Sequence, residues 1–386
     1  MNVATDTPAC SAFVEQPGPV WRRAVLKVGS SLLAADGGGL TPRFALGLAQ
    51  FVSANLALGR EVVIVSSGAV AAGRAVLPKL ADSGAPMAAR QALAALGQAQ
   101  LIGLWQRFFD RPVAQVLLTH DDLRNRRRYL NARATLTELL RLGTLPVVNE
   151  NDTVSVDELK LGDNDNLAAI VAALIDAEVL FIATDIDGLY SANPRIDPAA
   201  QPIGSVAAIT PDLLALAGGS GSSVGTGGMR TKLDAAAKAA AAGIETVLFN
   251  GTSPAALRAL AHGQLLGTRI RTGQTRLAAR KYWLRHVPAV AGAAIVVDAG
   301  AARAIGGKGA SLLPGGIVGA DGEFARGDMV EIVCRDDGTQ HVARGISQYS
   351  AGDIRRIARR HTRDIDATLG YNYGENVVHR DDMVTL

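Results

Sequence analysis

Cysteine is nearly absent: Cys10 and Cys334 are the only two in 386 residues. Two cysteines build no disulfide framework, and they do not have the spacing of a zinc site. So few thiols fit a reducing compartment, and the cytoplasm is the expected location. Aromatic residues are scarce too, 4% of the chain against 48% hydrophobic overall. The expected core is therefore aliphatic and close-packed. Long apolar runs are missing; the longest, Leu167 to Ile175, is well short of the roughly 18 residues of a membrane span. The first residues carry Asp6 and Glu15 and show no basic-then-apolar order, so no secretory signal is expected. Excess charge is small, a formal +3, and by itself points to neither a nucleic acid nor a membrane surface. Two catalytic signatures are also absent, the Gly-Lys-Ser/Thr ending of a nucleotide-hydrolase P-loop and the Gly-x-Ser-x-Gly of a nucleophilic serine.

What is present is a long chain able to bury a large core, with room for two or three domains. Residues 1–21 mix Pro, Ala, Ser and Thr without a period and read as a flexible extension. From there, runs rich in Val, Ile and Leu alternate with helical patterns: Ala24 to Val28, Glu61 to Val65, Val113 to Leu118, Leu145 to Val148, Val179 to Ala183 and Thr246 to Phe249. Runs without polar alternation are how strands buried on both faces of a parallel sheet look. Thr41-Pro42 opens one expected helix, closed by Gly59, and leucines 136, 139 and 140 share a face of another. The fold expected over 22–285 is an α/β domain, a three-layer αβα arrangement around a mainly parallel sheet. From 291 to 370 short strands and Gly-rich turns predict a separate small β-rich domain, followed by a tail over 371–386.

In a parallel α/β sheet, ligands bind beyond the carboxyl ends of the strands, so the polar segments at those ends are the candidates. Lys27-Val28-Gly29-Ser30 follows the first strand, and a lysine beside a glycine turn suits a phosphate. Ser66-Ser67-Gly68-Ala69 follows the second; its serine is read first as a helix cap, though hydroxyl and N–H groups there also make an anion site. Asn149-Glu150-Asn151-Asp152 and Gly162-Asp163-Asn164-Asp165-Asn166 put eight acidic or amide residues into two clusters, more than turn chemistry needs. Such a set could hold an ammonium group, Mg²⁺ or both, and hard oxygen donors without His or Cys suit Mg²⁺ better than zinc. Thr184-Asp185-Ile186-Asp187-Gly188 is a further strand end. Thr226-Gly227-Gly228-Met229-Arg230-Thr231-Lys232 opens an Ala-rich helix, where a lysine in the first turn opposes the helix dipole unless an anion sits there.

In this order and spacing, the six segments resemble the amino acid kinase family, in particular its branch that phosphorylates the side-chain carboxylate of glutamate. The final domain resembles a PUA domain, through Gly309 to Ile317 and Ala343-Arg344-Gly345-Ile346. The resemblance covers Ala24 to Leu386. It implies ATP-dependent formation of L-glutamyl 5-phosphate from L-glutamate with Mg²⁺, the first step of proline biosynthesis. Carried over by motif, Lys27 and Lys232 grip the transferring phosphate, and Ser67, Asp152 and Asn164 bind glutamate. Lys27, Thr184, Asp185 and Thr226 to Lys232 would bind the nucleotide, with a metal through Asp163 or Asp165 conceivable. The resemblance further implies feedback inhibition by proline, a homo-oligomer and hand-over of the acyl phosphate to glutamyl phosphate reductase. Relatives acting on aspartate, N-acetylglutamate or carbamate are the alternatives within the fold. An RNA-binding role for the last domain is disfavoured, because residues 291–386 hold eleven Lys/Arg against thirteen Asp/Glu, a poor balance for phosphate-backbone binding.

Overall fold

The computed structural model describes residues 12–34, 39–80, 86–154, 164–217, 228–273, 275–286, 288–336 and 338–386. It divides into two compact units, residues 1–124 with 131–275 and residues 125–130 with 276–386.

The first unit is organised by an eight-stranded sheet. From edge to edge its strands are Val113–Leu118, Leu145–Glu150, Glu61–Ser66, Arg23–Val28, Val179–Thr184, Glu245–Asn250, Gly267–Ile270 and Ser205–Val206. The first six run parallel, as their unbroken apolar sequences require, and Gly267–Ile270 is antiparallel to its neighbour Glu245–Asn250. All six expected strands are present, each within two residues of the expected ends. The core between sheet and helices is aliphatic, as expected, with a small aromatic knot at its centre. Phe181 takes Trp21, Phe51 and Phe249 edge-on, with ring centroids 5.5, 5.5 and 6.4 Å away.

Helices begin where the parallel strands end. Ala69–Val76 starts directly after Glu61–Ser66, and the turn between them needs Gly68, whose φ of +113° is open to glycine but strained for other residues. That helix lies flush against Met87–Gln106: a Cβ on Gly73 would come within 1.9 Å of the Leu93 carbonyl oxygen, and one on Gly97 within 1.8 Å of that of Ala69. Two glycines thus fix the helix pair, and with it the Ser66-Ser67 turn. The helix expected from Thr41-Pro42 begins at Ala45 and runs to Ala57, with the preceding residues in a turn. Within the segment read as an extension, residues 12–21 are tied down: Gln16–Pro17 pairs antiparallel with Gln264–Leu265, and Trp21 is buried.

The second unit has a five-stranded sheet in the order Ile317–Asp321, Ala294–Val297, Met329–Cys334, Gln340–Ile346 and Met383–Thr385. The first four lie within the 291–370 span expected to hold short strands. The last draws the C-terminal tail into the sheet, and the helix Arg276–His286 belongs to this unit rather than to the first. Ala351–Ile357 is a helix with a capping box between Ser350 and Asp353, a device that satisfies two exposed donors at once.

Candidate active site

The site lies where the carboxyl ends of Arg23–Val28, Glu61–Ser66 and Leu145–Glu150 meet the starts of three helices. Lys27, next to last in its strand, is almost fully buried, and its Nζ is 2.6 Å from Oδ1 of Asp165. Asp165 sits in the first turn of helix Asn164–Leu174, where the helix dipole favours an anion. Its other oxygen, Oδ2, lies 3.3 Å from Nζ of Lys232 and 2.8 Å from the Thr231 hydroxyl. Thr231 and Lys232 belong to the first turn of helix Met229–Ala241, and Thr231 Oγ1 is also 2.8 Å from the carbonyl of Gly228. One carboxylate thus fastens two lysines that are 205 positions apart in the chain. Burial alone would raise its pKa; the charges of Lys27 and Lys232 and the hydrogen bonds of Lys27 and Thr231 override that and hold it at about 2. A Cβ on Gly29 would be 3.6 Å from Lys27 Nζ, so the missing side chain keeps the approach to that ammonium open.

A second group of polar side chains is linked to the first through the neighbouring residue. Asn164 Nδ2 donates to Ser67 Oγ at 2.8 Å and to Asn149 Oδ1 at 2.9 Å, and Asn149 Nδ2 donates to Gln98 Oε1 at 2.8 Å. Ser67 does not cap its helix, which starts at Gly68 without a side-chain cap; its hydroxyl is turned to Asn164 instead. Ser66 is fully buried and accepts the indole N–H of Trp105 at 2.9 Å. Among the described residues, Asn164 Oδ1 and Asp152 Oδ1 are buried acceptors without a hydrogen-bond partner. Asp152 is nearly buried, and burial together with the nearby charge of Glu150 raises its pKa to about 6, with Arg90 opposing. Asn164 Oδ1 and Asp152 Oδ1 are each a buried acceptor that a donor from a bound molecule could satisfy, and the Asp152 carboxylate is poised to ionise near neutrality.

The strand Val179–Thr184 presents the third group. Thr184 is buried and its hydroxyl donates to Asp185 Oδ1 at 3.2 Å, while Asp185 is half exposed and 3.5 Å from the Arg195 guanidinium. Gly228 and Met229 start the helix that carries Lys232. Arg230 points away from the lysine pair, bound to Asp234 on the exposed face of its own helix. Thr226, Gly227 and Asp163 lie outside the described residues.

Lys27, Lys232, Ser67, Asn164 and Asp152, the catalytic and substrate residues expected from sequence, are thus found at or beside the strand ends. Reasoning from sequence did not identify Gln98, a mid-helix residue with no local signal. It also missed that Asp165 serves the lysines. Asp165 had been offered as a magnesium ligand, but both its oxygens are already engaged. Among the described residues no group of three or more His, Cys, Asp or Glu is placed to hold a metal. Mg²⁺ commonly takes only one or two carboxylates and relies on substrate phosphates for its remaining ligands.

Comparison with known proteins gives this arrangement its family. Residues 22–250 match the amino acid kinase family, and residues 293–369 match the PUA domain. A protein named glutamate 5-kinase from Xanthomonas oryzae pv. oryzae is 78% identical over 94% of this chain and all of its own length. One of the same name from Xylella fastidiosa is 70% identical over 99% of this chain and all of its own. A solved UMP kinase from Bacillus anthracis is 15% identical, with a TM-score of 0.46 over 66% of this chain and 97% of that one. This chain belongs to the amino acid kinase family, a family of phosphotransferases, and within it to the group of enzymes that includes these glutamate 5-kinases, with a PUA domain following. No helix among the described residues is long and apolar enough to cross a membrane.

Proposed function

We propose that the chain transfers the terminal phosphoryl group of ATP to the side-chain carboxylate of L-glutamate, giving L-glutamyl 5-phosphate and ADP. The observation that carries this reading is the fastening of Lys27 and Lys232 to one buried carboxylate beside the hydrogen-bonded pair Asn164 and Ser67. A carboxylate oxygen is an adequate nucleophile, so the reaction needs no strong base and no covalent enzyme intermediate. The oxygen attacks the γ-phosphorus, the bond to the bridging oxygen of the β-phosphate breaks, and ADP leaves with its electrons. The obstacle is the mutual repulsion of two anions and the charge on the transferring group. Two ammonium groups held in place by Asp165 and the N–H groups at the start of helix Met229–Ala241 answer it, with no reorganisation at the moment of transfer.

On this reading Lys27 and Lys232 flank the transferring group, Asp165 positions both, and Asp152 with Asn164 Oδ1 receives the substrate ammonium. Ser67 contacts the amino acid, and Thr184, Asp185 and residues 226–232 hold the nucleotide. When bound with the nucleotide phosphates, Mg²⁺ would supply charge neutralisation there. The same reading extends to cytoplasmic work at the first step of proline formation, with proline competing at the glutamate site, a homo-oligomer, and delivery of the labile product to a reductase. Hydroxylamine traps acyl phosphates as hydroxamates, which gives a direct test. Glutamate with ATP and Mg²⁺ should yield hydroxamate, and aspartate should yield far less; trapped product from aspartate alone would refute the assignment.

A further inference from the structure

Residues 12–17 lie on the turn that follows Val179–Thr184. Phe13 meets Tyr190 edge-on, with ring centroids 5.3 Å apart and planes at 82°. A Cβ on Gly188 would come within 2.7 Å of Phe13 Cζ, so the ring rests directly on the backbone of the turn. Gln16 Nε2 donates to the carbonyls of Gly204 at 2.7 Å and Gly267 at 3.1 Å, joining two segments that the turn itself uses. Leu189 N donates to Thr268 Oγ1 at 2.8 Å, whose hydroxyl donates to the Ile203 carbonyl at 2.7 Å. Leu189 and Tyr190 pair with Ile203 and Pro202. Asp187 Oδ1 accepts from Asn250 Nδ2 at 2.8 Å. The side-chain partners of Phe13 and Gln16 therefore belong to one small lattice, which Asn250 joins to Thr184, the residue before Asp185, through the parallel pairing of their strands. The segment adds little to the core: Val14 is 82% exposed, and Phe13 and Gln16 are its anchors.

We propose that Phe13 and Gln16 are positioning residues for the nucleotide: they strap the turn of Asp187 to Tyr190 and so hold Thr184 and Asp185 ready to bind ATP. The proposal rests on the reading of those two residues as nucleotide contacts. Its physical basis is pre-organisation. A surface turn that must be ordered on binding weakens affinity by the fraction of time it is competent, and a ring and a bridging amide fixed on its backbone raise that fraction.

The test is made on the full chain. Phe13→Ala should raise KM for ATP by about three- to thirtyfold, and it should weaken ADP binding by the same factor in calorimetry. Its kcat at saturating ATP and its KM for glutamate should stay at the parent values. Phe13→Tyr, which keeps a ring on Gly188, should restore the parent KM for ATP. Gln16→Ala, a milder change that also covers the case of Phe13→Ala failing to fold, should raise the same constant about threefold. An unchanged ADP affinity in Phe13→Ala and Gln16→Ala overturns the proposal. So does a parallel loss in kcat and in both KM values, the mark of general damage. Because ADP binding is measured without an acceptor, the strap is tested independently of glutamate: parent enzyme that binds ADP but yields no glutamyl hydroxamate refutes the substrate assignment alone.

Discussion

The two units bury charge for different ends. In the first, Lys27, Lys232, Asp165, Asp152 and Glu150 are all buried within one cluster of strand ends and helix starts. In the second, most ion pairs lie at the rim, as between Arg335 and Asp321 or Arg355 and Glu323, and the main core beneath the sheet is apolar. Among the described residues of that unit, the buried carboxylate is Asp382, with the Arg280 guanidinium 2.6 Å away. Burying an ion costs several kcal/mol even after relaxation, and apolar residues would stabilise a fold as well or better. A unit that gathers five buried charged groups at one spot is therefore organised for chemistry there, while the second unit's charges follow the rules of ordinary stability.

That contrast can be broken in four places. The largest effect on stability should come from Asp165→Asn, which removes the carboxylate shared by two buried lysines. Breaking a buried pair costs about 3–5 kcal/mol, so the first unit should melt well below its parent temperature in calorimetry, and an unchanged melting profile would mean the pairing is incidental. The sign with pH follows from the same group. Its pKa is held at about 2, below the ordinary carboxylate value, so its stabilising contribution is present above about pH 4 and fades as pH falls toward 2.

Asp152 should behave in the opposite sense. Its pKa is raised to about 6, so its ionised form costs the empty protein stability, a cost that grows as pH rises from about 4 to 6 and is constant above that. On the proposed reading the ionised form is also the one that receives the substrate ammonium. The parent KM for glutamate should therefore climb about tenfold as pH falls from 7.5 to 5. Asp152→Asn should start about tenfold higher and lose that pH limb; a variant that keeps the limb would transfer the role to another group. Smaller again is Arg280→Ala, expected to cost the second unit about 1–3 kcal/mol while leaving kcat and both KM values unchanged. A change in KM there would sharpen the comparison by tying the second unit to the reaction. Least of all, Arg355→Ala on the exposed rim should shift stability by less than about 0.5 kcal/mol in a denaturant titration.

The sequence showed the sheet well because a strand buried on both faces leaves an unmistakable apolar run, and Val113–Leu118 was legible to the residue. Gly267–Ile270 and Ser205–Val206 escaped because strands this short, carrying glycine, threonine, arginine or serine, have no period. At the site, Lys27 and Lys232 were legible through the glycines beside them. The job of Asp165 was not, because a carboxylate in an Asp/Asn cluster looks the same whether it awaits a metal or lies between two lysines distant in the chain. Ser67 was ambiguous for a similar reason: only the approach of Asn164 from another helix distinguishes a ligand group from a cap. The strap of residues 12–17 was hidden because its composition is that of a frayed end, and its order comes from distant partners: Gly188, Gly204, Gly267, Tyr190 and the ladder to Gln264–Leu265.

The most direct test of the account is the turnover of Lys27→Ala and Lys232→Ala, measured as glutamyl hydroxamate at saturating ATP and glutamate, beside glutamate binding by calorimetry. The account predicts that each variant loses about a thousandfold in kcat while glutamate affinity stays within about threefold of the parent. A near-normal kcat in either, or a loss confined to glutamate binding, would contradict it.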